Sequence, residues 1–218
     1  MDELFHTNIH EIESFEEGLT DIDLSRKSLN LLPNFPSTLR VLNLDGNKLS
    51  ILPPLPPNLQ ELRIGHNLFP EVPPNLPETL KILDISHNKI SLIKYLPSCL
   101  FELHCGNNAY LVIDTVLPPL LKVFMCKRCD LYSLPNLTPT LTHLDCSENY
   151  LSELLLDSPV VKLVCKNNLL TGIHLFNPQY LLELNCEYNR LKSLPGGMAK
   201  LHTLNVNRNL LTQLPDDM

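Results

Sequence analysis

The sequence predicts an α/β-type solenoid: ten short repeats stacked so that a curved parallel β-sheet lines the concave side, with polyproline II or irregular returns behind it. Three observations predict it. Apolar positions recur with a period of about 20 residues. An Asn stands at one fixed place in most periods, and pairs of prolines fill the stretches between them. Leucine is by far the commonest residue, and 19 Pro against 7 Gly in 218 residues is not the usage of an ordinary compact domain.

The repeats open at Leu19, Leu39, Leu59, Leu80, Leu100, Leu121, Leu141, Val160, Leu181 and Leu201, and they fill residues 19–218. Each reads apolar-x-x-apolar-x-apolar-x-x-Asn-x-apolar, as in Leu39, Leu42, Leu44, Asn47 and Leu49. Alternation at positions four and six is the period-two signature of a short strand with one buried face, so each repeat carries one strand. The ninth position holds Asn47, Asn67, Asn88, Asn108, Asn149, Asn168, Asn189 and Asn209. An amide both donates and accepts, so a row of inward-pointing Asn side chains is expected to tie each turn to the next as a structural ladder. Lys27 and Cys129 interrupt the row, and Cys129 brings only a weak S–H donor.

Behind the strands run segments such as Leu52-Pro53-Pro54-Leu55-Pro56-Pro57 and Val72-Pro73-Pro74-Asn75-Leu76-Pro77. Proline fixes φ and removes an N–H, which forbids a helix and favours an extended return needing fewer residues. The short period follows from that. Residues 1–18 are expected to cover one open end of the stack. Phe5, Ile9 and Ile12 fit a helical stripe opposite Glu11, Glu13, Glu16 and Glu17, and a degenerate extra repeat fits equally well. At the other end Leu201, Leu204, Val206 and Leu211 have no evident cover, which leaves a longer protein and self-association through this uncapped end as alternatives.

The unit Leu-Pro-x-Leu-Pro-x-x-Leu-x-x-Leu-x-apolar-x-x-Asn-x-Leu resembles the leucine-rich repeat, specifically the short bacterial type of the YopM and IpaH effector families, over nearly the whole chain. The resemblance implies a leucine-rich-repeat solenoid that acts as a delivered bacterial effector and binds host proteins along its concave face. IpaH-type members add a separate C-terminal ubiquitin-ligase domain, which these residues do not include. The alternative implied is the substrate-recognition part of a ligase whose catalytic domain lies elsewhere.

Composition narrows the function classes. A net charge of -7 argues against nucleic acid as a partner, because phosphate binding rests on an excess of Lys and Arg. No apolar run approaches the roughly 20 residues of a membrane span, and the opening residues lack the basic-then-apolar order of a signal peptide. Seven Cys, an odd number, fit a reducing compartment: cytoplasmic, or the host cytosol for a delivered protein. Cys105, Cys126, Cys146, Cys165 and Cys186 take the sixth position of successive repeats and read as a core ladder of small hydrophobes. Cys126 and Cys129 form a lone C-x-x-C without a second pair, and His66 and His87 are expected to stack about 5 Å apart with no third ligand. A thiol or metal enzyme is therefore the third reading, behind a non-enzymatic one with no cofactor. The Asn136-Leu137-Thr138 sequon has meaning only on a secretory route.

The expected working surface is the concave sheet, onto which positions three, five, seven and eight should point. Arg63, Asp84 and His104 fall at position five of successive repeats, as cross-strand neighbours that either satisfy one another or meet a partner. In the middle repeats Val123, Met125 and Val164 are apolar where water is expected, beside Lys127, Arg128, Lys162 and Lys166. Apolar anchors inside a charged rim are the anatomy of a protein-binding hot spot. These ten residues are the candidate contacts for a protein partner.

Overall fold

The computed structural model describes residues 12–217. In chain order the strands are β1 (Asp21–Asp23), β2 (Val41–Asn43), β3 (Glu61–Arg63), β4 (Ile82–Asp84), β5 (Leu92–Ile93), β6 (Glu102–His104), β7 (Val112–Ile113), β8 (Val123–Met125), β9 (His143–Asp145), β10 (Glu153–Leu156), β11 (Lys162–Val164), β12 (Gly172–Leu175), β13 (Glu183–Asn185) and β14 (Thr203–Asn205). One ten-stranded sheet runs in the order β1-β2-β3-β4-β6-β8-β9-β11-β13-β14, parallel throughout. Each strand of this sheet supplies positions three to five of one repeat. The central residue goes inward and its two neighbours stay on the sheet face, as the alternation of side chains along a strand requires.

The strands stop after three residues because the backbone turns at position eight. Arg26, Gly46, His66, His87, Asn107, Arg128, Glu148, Asn167, Tyr188 and Arg208 all have positive φ, between 52° and 71°. Only Gly46 adopts that conformation freely, and an L side chain there costs roughly 1 kcal/mol. Stacking offsets the cost: the position-eight N–H donates to the position-seven carbonyl of the following repeat, as from Arg26 to Asp45 at 2.7 Å and from His66 to Ser86 at 2.9 Å.

On the return, the position-one N–H closes a turn onto the residue three before it. That residue is a proline in most repeats: Leu39 donates to Pro36, Leu59 to Pro56, Leu80 to Pro77 and Leu100 to Pro97. A proline loses nothing there, since only its carbonyl is used. As the prolines predict, among the described residues the returns hold no α-helix, only the 3-10 turn Pro178–Tyr180. They are also less irregular than expected, because β5 pairs with β7 and β10 with β12 as two small parallel sheets.

The core is one continuous apolar column. Leu39, Leu42, Leu44 and Leu49, together with their equivalents in the interior repeats, are almost wholly buried, and the five ladder cysteines sit in the same column, each fully buried. Of the proposed N-terminal cap, Phe5, Ile9 and Glu11 lie outside the described residues. Residues 12–18 form no helix; Ile12 and Phe15 pack on the core, with the Phe15 ring stacked on Phe35 at 5.7 Å. At the far end Leu201, Leu204, Val206 and Leu211 are only partly buried, whereas the matching Leu181, Leu184, Cys186 and Leu191 are at most 1% exposed.

Candidate interaction surface

Position five decides what each strand presents. In six strands it is Asp or Asn, and the side-chain Oδ1 accepts the N–H of position seven: Asp23 from Ser25, Asn43 from Asp45, Asp84 from Ser86, Asp145 from Ser147, Asn185 from Glu187, and Asn205 from Asn207. Such Asx turns prepare the chain for the bend that follows. Four strands depart from the rule, with Arg63, His104, Met125 and Val164. Asp84 therefore has a local structural role, which also includes accepting the Ser86 hydroxyl at 2.6 Å.

The register places Asn43, Arg63, Asp84, His104, Met125, Asp145, Val164 and Asn185 side by side across adjacent strands. Arg63, Asp84 and His104 do not satisfy one another. Arg63 Nε donates to Glu61 on its own strand at 2.5 Å, which raises the guanidinium pKa further, and His104 Nε2 lies 3.5 Å from Glu102, also on its own strand. Two residues apart on a strand means the same face, so each basic group reaches its own acid before a neighbour's. Asp45 lies half-buried among them. Burial and then the nearby Asp84 push its carboxyl up, against the Gly65 N–H that donates to it at 2.7 Å.

In the middle repeats the basic residues are partly neutralised. Lys127 and Arg128 both reach Glu148 across the strand gap, at 2.8 Å and 3.1 Å, and the Lys127 hydrogen bond lowers the Glu148 pKa. Lys162 pairs with Glu183 at 2.7 Å. Between these pairs lie Val123, Met125 and Val164, half-buried on the sheet face. Position seven is less outward than the sequence suggested, since Ser147 and Gly106 are buried there.

Below the face, each interior Asn accepts a backbone N–H of the preceding repeat and donates to carbonyls of both repeats, and Asn149 makes the fullest set. Asn149 Oδ1 accepts the N–H of Cys129 and of Leu131, and its Nδ2 donates to the carbonyls of Cys126, Cys146 and Ser147, all within 3.1 Å. Asn47, Asn67, Asn88, Asn108, Asn168, Asn189 and Asn209 bridge adjacent turns likewise. At the interruption, the Cys129 thiol donates to the Cys105 carbonyl at 3.2 Å, the place an Asn amide would take. Sulfur has no counterpart to Oδ1. The Cys129 carbonyl serves as the acceptor instead: repeat five, the one that opens at Leu100, has an extra residue at Tyr110, and its displaced Leu111 N–H donates to that carbonyl at 3.1 Å. The Cys129 interruption is visible in the sequence, but the compensating Leu111 bond is not, and at position eight only Gly46, Asn107 and Asn167 are of types that favour positive φ.

The stacked rings of His66 and His87 are 3.7 Å apart, closer than strand spacing, and burial followed by the neighbouring imidazole lowers the His87 pKa. Among the described residues no group of three or more His, Cys, Asp or Glu side chains could hold a metal ion. The ladder thiols are held protonated, Cys126 by burial and Cys186, also by burial, with its pKa pushed up to about 12. Only the thiolate reacts, and Cys99 alone of the seven is exposed. Native protein at neutral pH is therefore expected to label fast at Cys99 only, with the other six reacting after denaturation; peptide mass spectrometry reads this directly.

The sequence matches the Leucine Rich Repeat family over residues 38–59 and 79–103. No curated protein matches it. Among solved structures it is similar to YopM from Yersinia enterocolitica WA-314, at 25% identity and a TM-score of 0.58, over 94% of this chain and 59% of that one. It is also similar to a Shigella effector leucine-rich-repeat domain, at 27% identity and a TM-score of 0.53, over 80% of this chain and 71% of that one. The functional domain of InlJ from Listeria monocytogenes, described as including a cysteine ladder, shares the fold at 19% identity and a TM-score of 0.51, over 90% of this chain and 60% of that one. The chain thus spans less than two thirds of YopM, and no helix among its described residues is long and apolar enough to cross a membrane. Ten in-register strands and the Asn at the bend give the chain the fold of a leucine-rich-repeat solenoid, with a family match over two stretches of it and a fold similar to that of YopM and the Shigella effector repeat domain.

Proposed function

We propose that the protein is a non-catalytic interaction module that binds a protein partner through the middle strands of the concave sheet. One observation carries the reading: where six strands use position five to close their own turn, β8 and β11 place Met125 and Val164 there, apolar and half-buried on the face. With Val123 they form the desolvated centre, and Lys127, Arg128, Lys162 and Lys166 form the rim. Arg63, Asp84 and His104 extend the surface toward the N-terminal repeats. The Glu148 and Glu183 pairs keep Lys127, Arg128 and Lys162 ordered before binding, which lowers the entropic cost of association. The likeness to YopM and to the Shigella effector domain supports a delivered protein acting on host proteins.

Affinity capture from eukaryotic lysate tests this, with wild type beside a Met125→Glu variant shown by circular dichroism to stay folded. A charge at the centre of the patch is expected to remove captured partners by about tenfold or more. Equal capture by both proteins would move the partner off β8.

A further inference from the structure

A second surface lies off the sheet, where the Asn ladder is interrupted. Repair of the ladder at Cys129 needs only the backbone of the extra residue, and at a φ of 58° that residue would be most comfortable as Gly or Asn. It is Tyr110, and its side chain is 80% exposed. In the next repeat Asp130 also has a φ of 58°, and its Oδ2 accepts the Tyr110 N–H at 3.2 Å. Tyr132 follows, 76% exposed, with its ring stacked on Tyr150 at 5.2 Å. An aromatic ring this exposed forgoes most of its burial energy, and the extra backbone strain at Tyr110 and Asp130 adds to the cost.

Tyr110, Asp130 and Tyr132 line one groove of about 450 Å³, together with Leu111, Leu131 and Leu134. No Lys or Arg is among the groove's lining residues, so the Asp130 carboxylate meets no cation there. Two exposed tyrosine rings and a carboxylate lining one groove suit a flat, delocalised cation: the rings can attract it through their quadrupoles and the carboxylate can accept its N–H groups. Arginine fits better than lysine, since a planar guanidinium stacks on a ring while donating in its own plane. We propose that the groove formed by Tyr110, Asp130 and Tyr132 is a binding site for an arginine side chain of a protein partner. It lies off the strand face, so it stands independently of the reading above.

The six tyrosines and the absence of Trp make ring resonances a clean probe. Full-length protein with labelled Tyr rings would be titrated with N-acetyl-arginine methylamide, with the neutral isostere N-acetyl-citrulline methylamide as control. Arginine is expected to shift the Tyr110 and Tyr132 signals, with citrulline weaker by about fivefold or more. Asp130→Asn keeps the acceptor for the Tyr110 N–H and tolerates positive φ, so it should stay folded while losing about fivefold in arginine response. Tyr132→Ala should abolish the shift at Tyr110. Equal shifts with citrulline, an unchanged response in Asp130→Asn, or shifts absent at Tyr110 and Tyr132 would each overturn the site.

Discussion

Asn149→Ala is expected to lower the stability of the array by about 3 kcal/mol. The side chain is 4% exposed and makes five hydrogen bonds, all to backbone groups of two adjacent repeats. Alanine strands the Cys129 and Leu131 N–H groups where water cannot replace the lost acceptor, and a buried unsatisfied group costs about 1–3 kcal/mol. The site also follows the one interior turn that lacks an Asn, where the Cys129 thiol and the Leu111 N–H make the ladder bonds instead. Asn209→Ala frees the Leu191 N–H and the Cys186 and Val206 carbonyls at the less buried end, where the side chain itself is partly exposed, and should cost less, about 1 kcal/mol. Since long repeat arrays depart from two-state unfolding, amide exchange is the sharper measurement. Exchange at Cys129 and Leu131 should accelerate by roughly tenfold or more in Asn149→Ala while distant repeats change little. Protection equal to wild type at both amides would rule out the side chain as their support.

What the sequence made legible was the part of the fold that repeats. Leu, Cys and Val at positions one, four and six announce burial by their spacing alone, and the strand register follows because one slip would turn every buried side chain outward. The left-handed bend at position eight was not legible. His66, Arg128, Glu148 and Tyr188 give no hint of positive φ, since the conformation is imposed by stacking on the next turn rather than preferred by the residue. The two small sheets on the returns were missed for a similar reason. Leu92-Ile93 and Val112-Ile113 are too short to show alternation, and they pair only because neighbouring returns are held side by side. On the candidate surface, positions were readable and partners were not. Whether Lys127 meets Glu148 or solvent depends on rotamers across a strand gap, and Asp84 looks like an open charge until its bonds to Ser86 are seen.

Phe124→Ala and Met125→Asn, one residue apart on β8, are expected to act in opposite directions. Phe124 is fully buried at a position where the neighbouring strands carry Leu103 and Leu144, so truncation opens a large cavity between stacked turns and should cost about 3–5 kcal/mol. Met125 lies on the other face of the same strand. An Asn there would offer the Lys127 N–H the bond that Asn185 gives Glu187, restoring the pattern of the six Asx strands. Met125→Asn should therefore hold or raise stability, by about 0.5–1 kcal/mol, while weakening partner capture as Met125→Glu does. A protein that keeps a methionine where asparagine would stabilise the turn is giving up stability for surface, which is the trade expected of a binding residue and not of a scaffold residue. Chemical denaturation of the three proteins side by side decides it: a clear loss of stability in Met125→Asn would mean that the methionine supports the fold, and β8 would lose its claim to be the centre of the interface.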